Sequence, residues 1–204
     1  MTRTRTRRRR PAMVGVSEGM TAEQLLTYSA PDKRVELVRG QLVVREPPGW
    51  YHGEISLRVG AALHAHLASE QARHGWPAPR GRLAVGDPGF ILARSPDTVR
   101  GSDVAYVSRE RHPGPMPARF PEMAPDLAIE VRSPTDRLGE VLAKVGDWLD
   151  AGSRLVWVID PQRESATVYR ADGSHAMLAM SDELDGEDVL PGFRIALRTL
   201  FAPS

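Results

Sequence analysis

Three acids stand in apolar, strand-like runs: Glu36 in RVELV, Asp103 in DVAYV and Glu130 in LAIEV. A lysine, Lys144, follows in the next helix-like stretch. Burying an unpaired carboxylate is costly or forces it to take up a proton. Glu130 therefore faces water at a strand end, pairs with a cation, or holds a metal. Side chains alternate along a strand, so Glu130 and Arg132 share one face while Leu127, Ile129 and Val131 point to the other. If the Asp103 strand is a neighbour, two carboxylates meet, and either one is protonated or a cation sits between them. A hard divalent ion such as Mg²⁺ prefers oxygen ligands and keeps several waters. Such an ion can activate a water and stabilise charge on a phosphate.

Lys144 stands out against its background. The chain has 25 arginines and only two lysines, Lys33 and Lys144. An arginine-favouring genome explains the bias, and a lysine kept against it is a candidate for lysine's own chemistry, a compact and tunable point charge. At about 100° per residue, Lys144 lies ~40° from Trp148 on the helix surface, at the shoulder of an apolar stripe. A helix packed back on the sheet brings that ammonium toward the carboxylates. The plain alternative is a snorkelling surface lysine.

The elements that must position these residues are readable. SEGMTAEQLLTY (17–28) reads as a short helix. VELVRGQLVVRE (35–46) reads as a hairpin turning at Arg39-Gly40. A helix is expected from His52 to Arg73, with Ile55, Val59, Leu63 and Leu67 at helical spacing. GRLAV (81–85) and GFILA (89–93) are short strands, SPDTVRGS (95–102) a loop, and DVAYV (103–107) a strand. Residues 112–125 hold five prolines and read as an irregular surface loop. DLAIEVR (126–132) is a strand. The next helix is expected to be capped by Ser133, with Pro134 in first position and Asp136 completing a capping box. Its stripe is Leu138, Val141, Leu142, Val145, Trp148 and Leu149, and Ala151-Gly152 ends it. RLVWVID (154–160) and SATVYR (165–170) form an antiparallel strand pair, and a last helical turn falls near LRTLF. This order predicts an α/β fold: one mixed β-sheet flanked by helices on each face.

Bulk composition narrows the class. Residues 1–12 carry six arginines and no acid, and the rest of the chain has 21 basic and 26 acidic residues. Residues 1–16 are expected to be a disordered Arg-rich tail, a solvated leader or a nonspecific nucleic-acid contact, and 17–204 one domain. Without cysteine there is no disulfide framework and no thiolate zinc site. No apolar run approaches a membrane span, and no apolar stretch of signal-peptide type follows the basic N-terminus. A cytoplasmic protein is the expectation. His64 and His66, two apart on a helix, face different ways and make no metal pair. A phosphate-binding glycine loop, HExxH and GxSxG are absent. A glycosidase would use two carboxylates but would leave Lys144 without a role.

The ordered set RVELVRGQLV, WYHGEI, PDTVRGSDVAYVSRER, APDLAIEVRSPTDR, KVGDWLDAG and LVWVIDP resembles the Uma2 family, within the PD-(D/E)XK restriction-endonuclease-like group. The resemblance spans about residues 20–201 and implies a restriction-endonuclease-like fold. It implies a Mg²⁺-dependent endonuclease, Mn²⁺ being able to substitute, that hydrolyses phosphodiester bonds of DNA. By this resemblance Asp103 and Glu130 are metal ligands, and the backbone carbonyl of Val131 adds a third oxygen. Glu36 binds metal or orients water, and Lys144 is the catalytic lysine moved from strand to helix. His52 and Arg132 are substrate-binding candidates, His52 having a plain structural role as its alternative. Ser102 replaces the proline of the motif, and Arg132 stands where related nucleases carry lysine, so catalysis leans on Lys144. A symmetric homodimer is the default assembly. The rival reading is an inert nuclease-like module that binds nucleic acid or a protein partner.

Overall fold

Arg39 and Gly40 both adopt positive φ, 50° and 76°, the turn geometry whose twist matches paired strands. They join β1 (Arg34–Val38) to β2 (Gln41–Arg45), with Glu36 opposite Val43. The computed structural model describes residues 19–202, so the Arg-rich stretch and the expected tail of residues 1–16 lie outside the described residues. Before the hairpin lies α1 (Ala22–Leu26), shorter than expected and fixed by a reciprocal Thr21–Gln24 capping box. After it comes α2 (Trp50–His74), which buries Ile55, Val59, Leu63 and Leu67 as their spacing predicts and stops at Gly75, whose φ is 63°.

The remaining strands are β3 (Gly81–Val85), β4 (Gly89–Ala93), β5 (Thr98–Gly101), β6 (Val104–Ser108), β7 (Leu127–Val131), β8 (Leu155–Asp160), β9 (Ser165–Arg170), β10 (His175–Leu178), β11 (Glu183–Asp185) and β12 (Arg194–Ala196). The helices α3 (Leu138–Asp150) and α4 (Leu197–Phe201) complete the order. The expected fold class holds, with two corrections. The segment expected as a loop contains β5, all four of whose residues are buried; the turn residues around it hide a strand whose Val99 faces the core and whose Arg100 meets an acid. The single expected sheet is in fact divided: a six-stranded sheet in order β10-β9-β8-β7-β6-β3, a four-stranded sheet in order β2-β1-β5-β4, and a β11-β12 pair. Gly86 and Asp87, both at positive φ, turn the chain between β3 and β4 and send them to different sheets.

The six-stranded sheet is covered on both faces, which is why β8 is buried throughout. One face, carrying Leu127, Ile129, Val131 and Trp157, packs on α2 and α4. The other, carrying Ala105, Ala128 and Val158, packs on Val145 and Trp148 of α3 and on Phe90 of the smaller sheet. β7 and β8 run parallel, and α3 is the crossover between them.

The start of α3 is also corrected. Ser133 and Asp136 do bond, the Ser133 amide donating to Asp136 Oδ2 at 2.8 Å, but they make a separate turn. The helix begins at Leu138, with Arg137 at its cap. Its stripe is only partly buried: Leu138 and Leu142 remain exposed.

Candidate active site

The β6–β7 pairing brings the two strand acids together. Val104 is paired with Ile129, and one more antiparallel step sets Asp103 opposite Glu130. Alternation directs Glu130 toward the α3 face, with Ala128, while Asp103, just before β6, reaches the Val131 amide and His52 of α2. Asp103 Oδ2 accepts from the Val131 amide at 2.6 Å and lies 3.2 Å from His52 Nε2. Its Oδ1 accepts from Arg34 Nη2 at 3.1 Å, and Arg34 also pairs with Asp87.

Glu130 is held from α3. Lys144 Nζ donates to Glu130 Oε2 at 2.8 Å, and Trp148 Nε1 donates to Oε1 at 2.8 Å. Lys144 and Trp148 are one helical turn apart, so a single helix face grips both oxygens. The other sheet supplies Glu36. Lys144 Nζ lies 3.0 Å from Glu36 Oε1. Glu36 also accepts from Arg100 Nη1 at 2.9 Å and from the Gly101 amide at 3.1 Å. Arg100 reaches on to Asp147 Oδ2 at 2.6 Å.

Charge is not balanced in this network. Three cations, Arg34, Arg100 and Lys144, face five carboxylates, those of Glu36, Asp103, Glu130, Asp87 and Asp147, a surplus of two negative charges at most, reduced by a proton on Glu130 or on His52, which meets Asp103. The three acids respond differently to burial and to these charges. Burial pushes Glu130 up to about 7, and the charges of Asp103 and Glu36 add to burial while Lys144 opposes it. At Glu36 burial works upward too, but Lys144 and Arg100 overcome it and hold the carboxyl at about 2. At Asp103 burial is likewise overcome, by His52, Lys144 and the Val131 amide, and the group stays below its usual range. Lys144 is mostly shielded from water, which lowers its pKa, but Glu130, Glu36 and Asp103 together raise it above the ordinary lysine value. Across the Lys144–Glu130 pair, raised values favour a charged ammonium yet a neutral carboxyl. The ammonium is the side we hold to, because three acids share its one charge.

These groups open into a cavity of about 370 Å³ lined by Asp103, Glu130, Lys144, His52, Arg34 and Arg132 among others. Of the residues singled out in the sequence, Asp103, Glu130, Lys144, His52, Val131 and Arg132 all line it. Glu36 stands behind Lys144 rather than on the wall. His52 contacts Asp103, and Arg132 is clamped by Asp160 and by the Asp136 carbonyl. Val131 contributes its amide to Asp103. Arg34, Arg100 and Trp148 were not anticipated as site residues. The Arg34/Glu36 spacing of two was the available signal for Arg34. For Trp148 the signal was its place one turn beyond Lys144.

Among the described residues no three His, Cys, Asp or Glu side chains are grouped to hold a metal by themselves. A Mg²⁺ ion asks for less, commonly one or two carboxylates with waters and a substrate phosphate. Asp103 and Glu130 are the pair that could hold one.

A family model described as "Uma2: Putative restriction endonuclease" matches residues 22–198. Among solved structures, a chain from Anabaena variabilis described as a "putative nuclease belonging to DUF820" superposes with a TM-score of 0.75, covering 89% of this chain and 97% of that one at 17% identity. At that identity the likeness is one of fold. No curated protein matches. Among the described residues no helix is long and apolar enough to cross a membrane. The matched range takes in Glu36, Asp103, Glu130 and Lys144 and every strand of both sheets, and the chain belongs to the Uma2 family.

Proposed function

We propose that the chain is a Mg²⁺-dependent endonuclease that hydrolyses phosphodiester bonds of DNA. The observation that carries this is the pair Asp103 and Glu130 lining one cavity, with the half-buried ammonium of Lys144 on Glu130. Asp103, Glu130 and the Val131 carbonyl are the proposed ligands, with Mn²⁺ able to replace Mg²⁺. When bound, the ion lowers the pKa of a coordinated water and neutralises phosphate charge. The protein's own groups do the rest. The raised pKa of Lys144 keeps it an ammonium at neutral pH, so it acts as a donor to the attacking or departing oxygen rather than as a base. Glu36 holds Lys144 in place, and Trp148 fixes the Glu130 carboxylate plane. His52 orients Asp103, and Arg132, held by Asp160 and the Asp136 carbonyl, is the substrate-binding candidate on the cavity wall. A cytoplasmic location and a symmetric homodimer complete the reading.

The test is nicking of supercoiled plasmid with Mg²⁺ or Mn²⁺. Wild type nicks, Glu130→Gln and Lys144→Ala slow nicking at least 100-fold, and chelation stops it. Equal nicking by all three proteins would trace the activity to a contaminant and remove the support for this site.

One observation favours a second reading. Both oxygens of Asp103 and both of Glu130 already accept bonds from protein donors. A self-satisfied network of this kind suits an inert module that binds nucleic acid or protein. Deleting residues 1–12 separates the two: the module reading requires DNA binding to vanish with the arginines and cleavage never to be seen.

A further inference from the structure

A divalent ion reaching Asp103 and Glu130 meets a cation already on each acid. Lys144 holds Glu130 Oε2 and lies 3.0 Å from Glu36 as well. Arg34 does the same at Asp103. Its Nη2 donates to Asp103 Oδ1 at 3.1 Å and also to Asp87 Oδ1, so one nitrogen bridges two acids.

The two oxygens of Asp103 are held differently. Oδ2 is tied by the Val131 amide at 2.6 Å and by His52 Nε2 at 3.2 Å, the first in the sheet and the second on α2. Among the described residues Oδ1 accepts from Arg34 alone. A strand amide cannot withdraw without breaking the sheet, whereas an arginine side chain turns about its own bonds. Oδ1 is therefore the oxygen of Asp103 that can be handed over to an ion.

Asp87 is placed to receive the arginine. It stands on the turn between β3 and β4, with φ 60°. That turn is fastened to the site: the Gly86 amide donates to the Asp103 carbonyl at 3.2 Å, and a Cβ on Gly101 would stand 3.1 Å from the Asp87 carbonyl oxygen. The Asp87 side chain is 32% exposed, that of Asp103 4%. Asp87 is off the cavity wall that Arg34 lines, so its carboxylate serves the arginine and not the ion.

We propose that Arg34 is a built-in competitor for the metal position: it contends with the divalent cation for Asp103 Oδ1, and Asp87 receives it when the cation binds. This rests on the metal centre of the nuclease reading. A guanidinium and a divalent cation on one carboxylate repel each other, and the ion carries twice the charge. The exchange leaves both acids compensated, Asp103 by the ion and Asp87 by Arg34, so no buried charge is stranded.

The test measures Mn²⁺ binding to the full chain, from the electron spin resonance signal of free Mn²⁺, in wild type, Arg34→Met, Asp87→Asn and the double variant. Arg34→Met binds about tenfold more tightly, because the competitor is gone. Asp87→Asn binds about tenfold more weakly, because the arginine is then left on Asp103. A bare change of charge gives the same two signs, so the double variant decides. Without Arg34, Asp87 has nothing to receive, and adding Asp87→Asn to Arg34→Met changes the affinity by less than about threefold. Effects that simply add overturn the proposal and leave the metal centre standing. Wild-type crystals with Mn²⁺ give an answer that needs no variant. Arg34 on Asp87 and more than about 3.5 Å from Asp103 supports the exchange; Arg34 still on Oδ1 beside a bound ion overturns it. Mn²⁺ bound by Arg34→Met but not by wild type supports the competitor in its strongest form. Mn²⁺ bound by none of the four proteins removes the metal centre and the competitor together.

Discussion

Lys144 carries the charge balance of the site, since its ammonium is shared between Glu36 and Glu130. Removing one partner of a buried pair leaves the other uncompensated. Lys144→Met should therefore destabilise the fold by about 3 kcal/mol, measured by urea denaturation. A loss below about 1 kcal/mol would mean that the network holds without it. Glu36 makes a complementary prediction. Its carboxyl is held at about 2 against an ordinary 4.5, so between those values the unfolded chain binds the extra proton. Its contribution is present above about pH 4.5 and is lost as the pH falls toward 2, of order 3 kcal/mol in all. Melting curves should show a steeper acid decline in wild type than in Glu36→Gln; parallel declines would refute the assignment. Of the four residues the structure brings together, Glu36, Asp103 and Glu130 were conspicuous as charges inside apolar runs, and Lys144 as one of only two lysines. Arg34 and Arg100 were not, because one arginine among 25 carries no signal. Trp148 was read as core and is core, fully buried; its polar edge could not be placed until the helix was.

At the scale of elements, the β1–β2 hairpin sets where Glu36 points. Gly40 has φ 76°, and a Cβ there would stand 3.0 Å from the Gly19 backbone. Gly40→Ala should cost about 1–2 kcal/mol from the left-handed conformation and more if Gly19 cannot yield. A melting temperature equal to wild type would show that the turn is not fixed as described. β5 shows why part of the fold escaped the sequence. Four residues bracketed by Ser95-Pro96-Asp97 and Ser102 read as a turn, yet pairing with β4 and burial against β1 make them a strand. Strand content there is a tertiary effect rather than a local preference. The start of α3 failed for a related reason: Ser133 and Asp136 bond in either arrangement, and only packing decides where the helix begins.

For the molecule as a whole, the two sheets meet at the site. The larger gives Asp103 and Glu130, the smaller gives Glu36, Arg34 and Arg100, and α3 ties them through Lys144. The layering was legible from periodicity, but the division into sheets was not, because it depends on which strands pair. The proposed metal pair, Asp103 and Glu130, predicts stabilisation by a divalent ion. Saturating Mg²⁺, at about 100 times its dissociation constant, should add about 2.7 kcal/mol and raise the melting temperature by several degrees. Glu130→Gln should remove the shift. An unchanged melting temperature in wild type would count against ion binding.

The most direct measurement is an anomalous difference map from crystals of the protein grown with Mn²⁺. The account predicts one strong peak between the carboxylates of Asp103 and Glu130, about 2.1 Å from an oxygen of each, with Lys144 still bonded to Glu36. A map with no peak there, both carboxylates remaining on Lys144, Trp148, Arg34 and His52, would contradict the metal centre and with it the proposed chemistry.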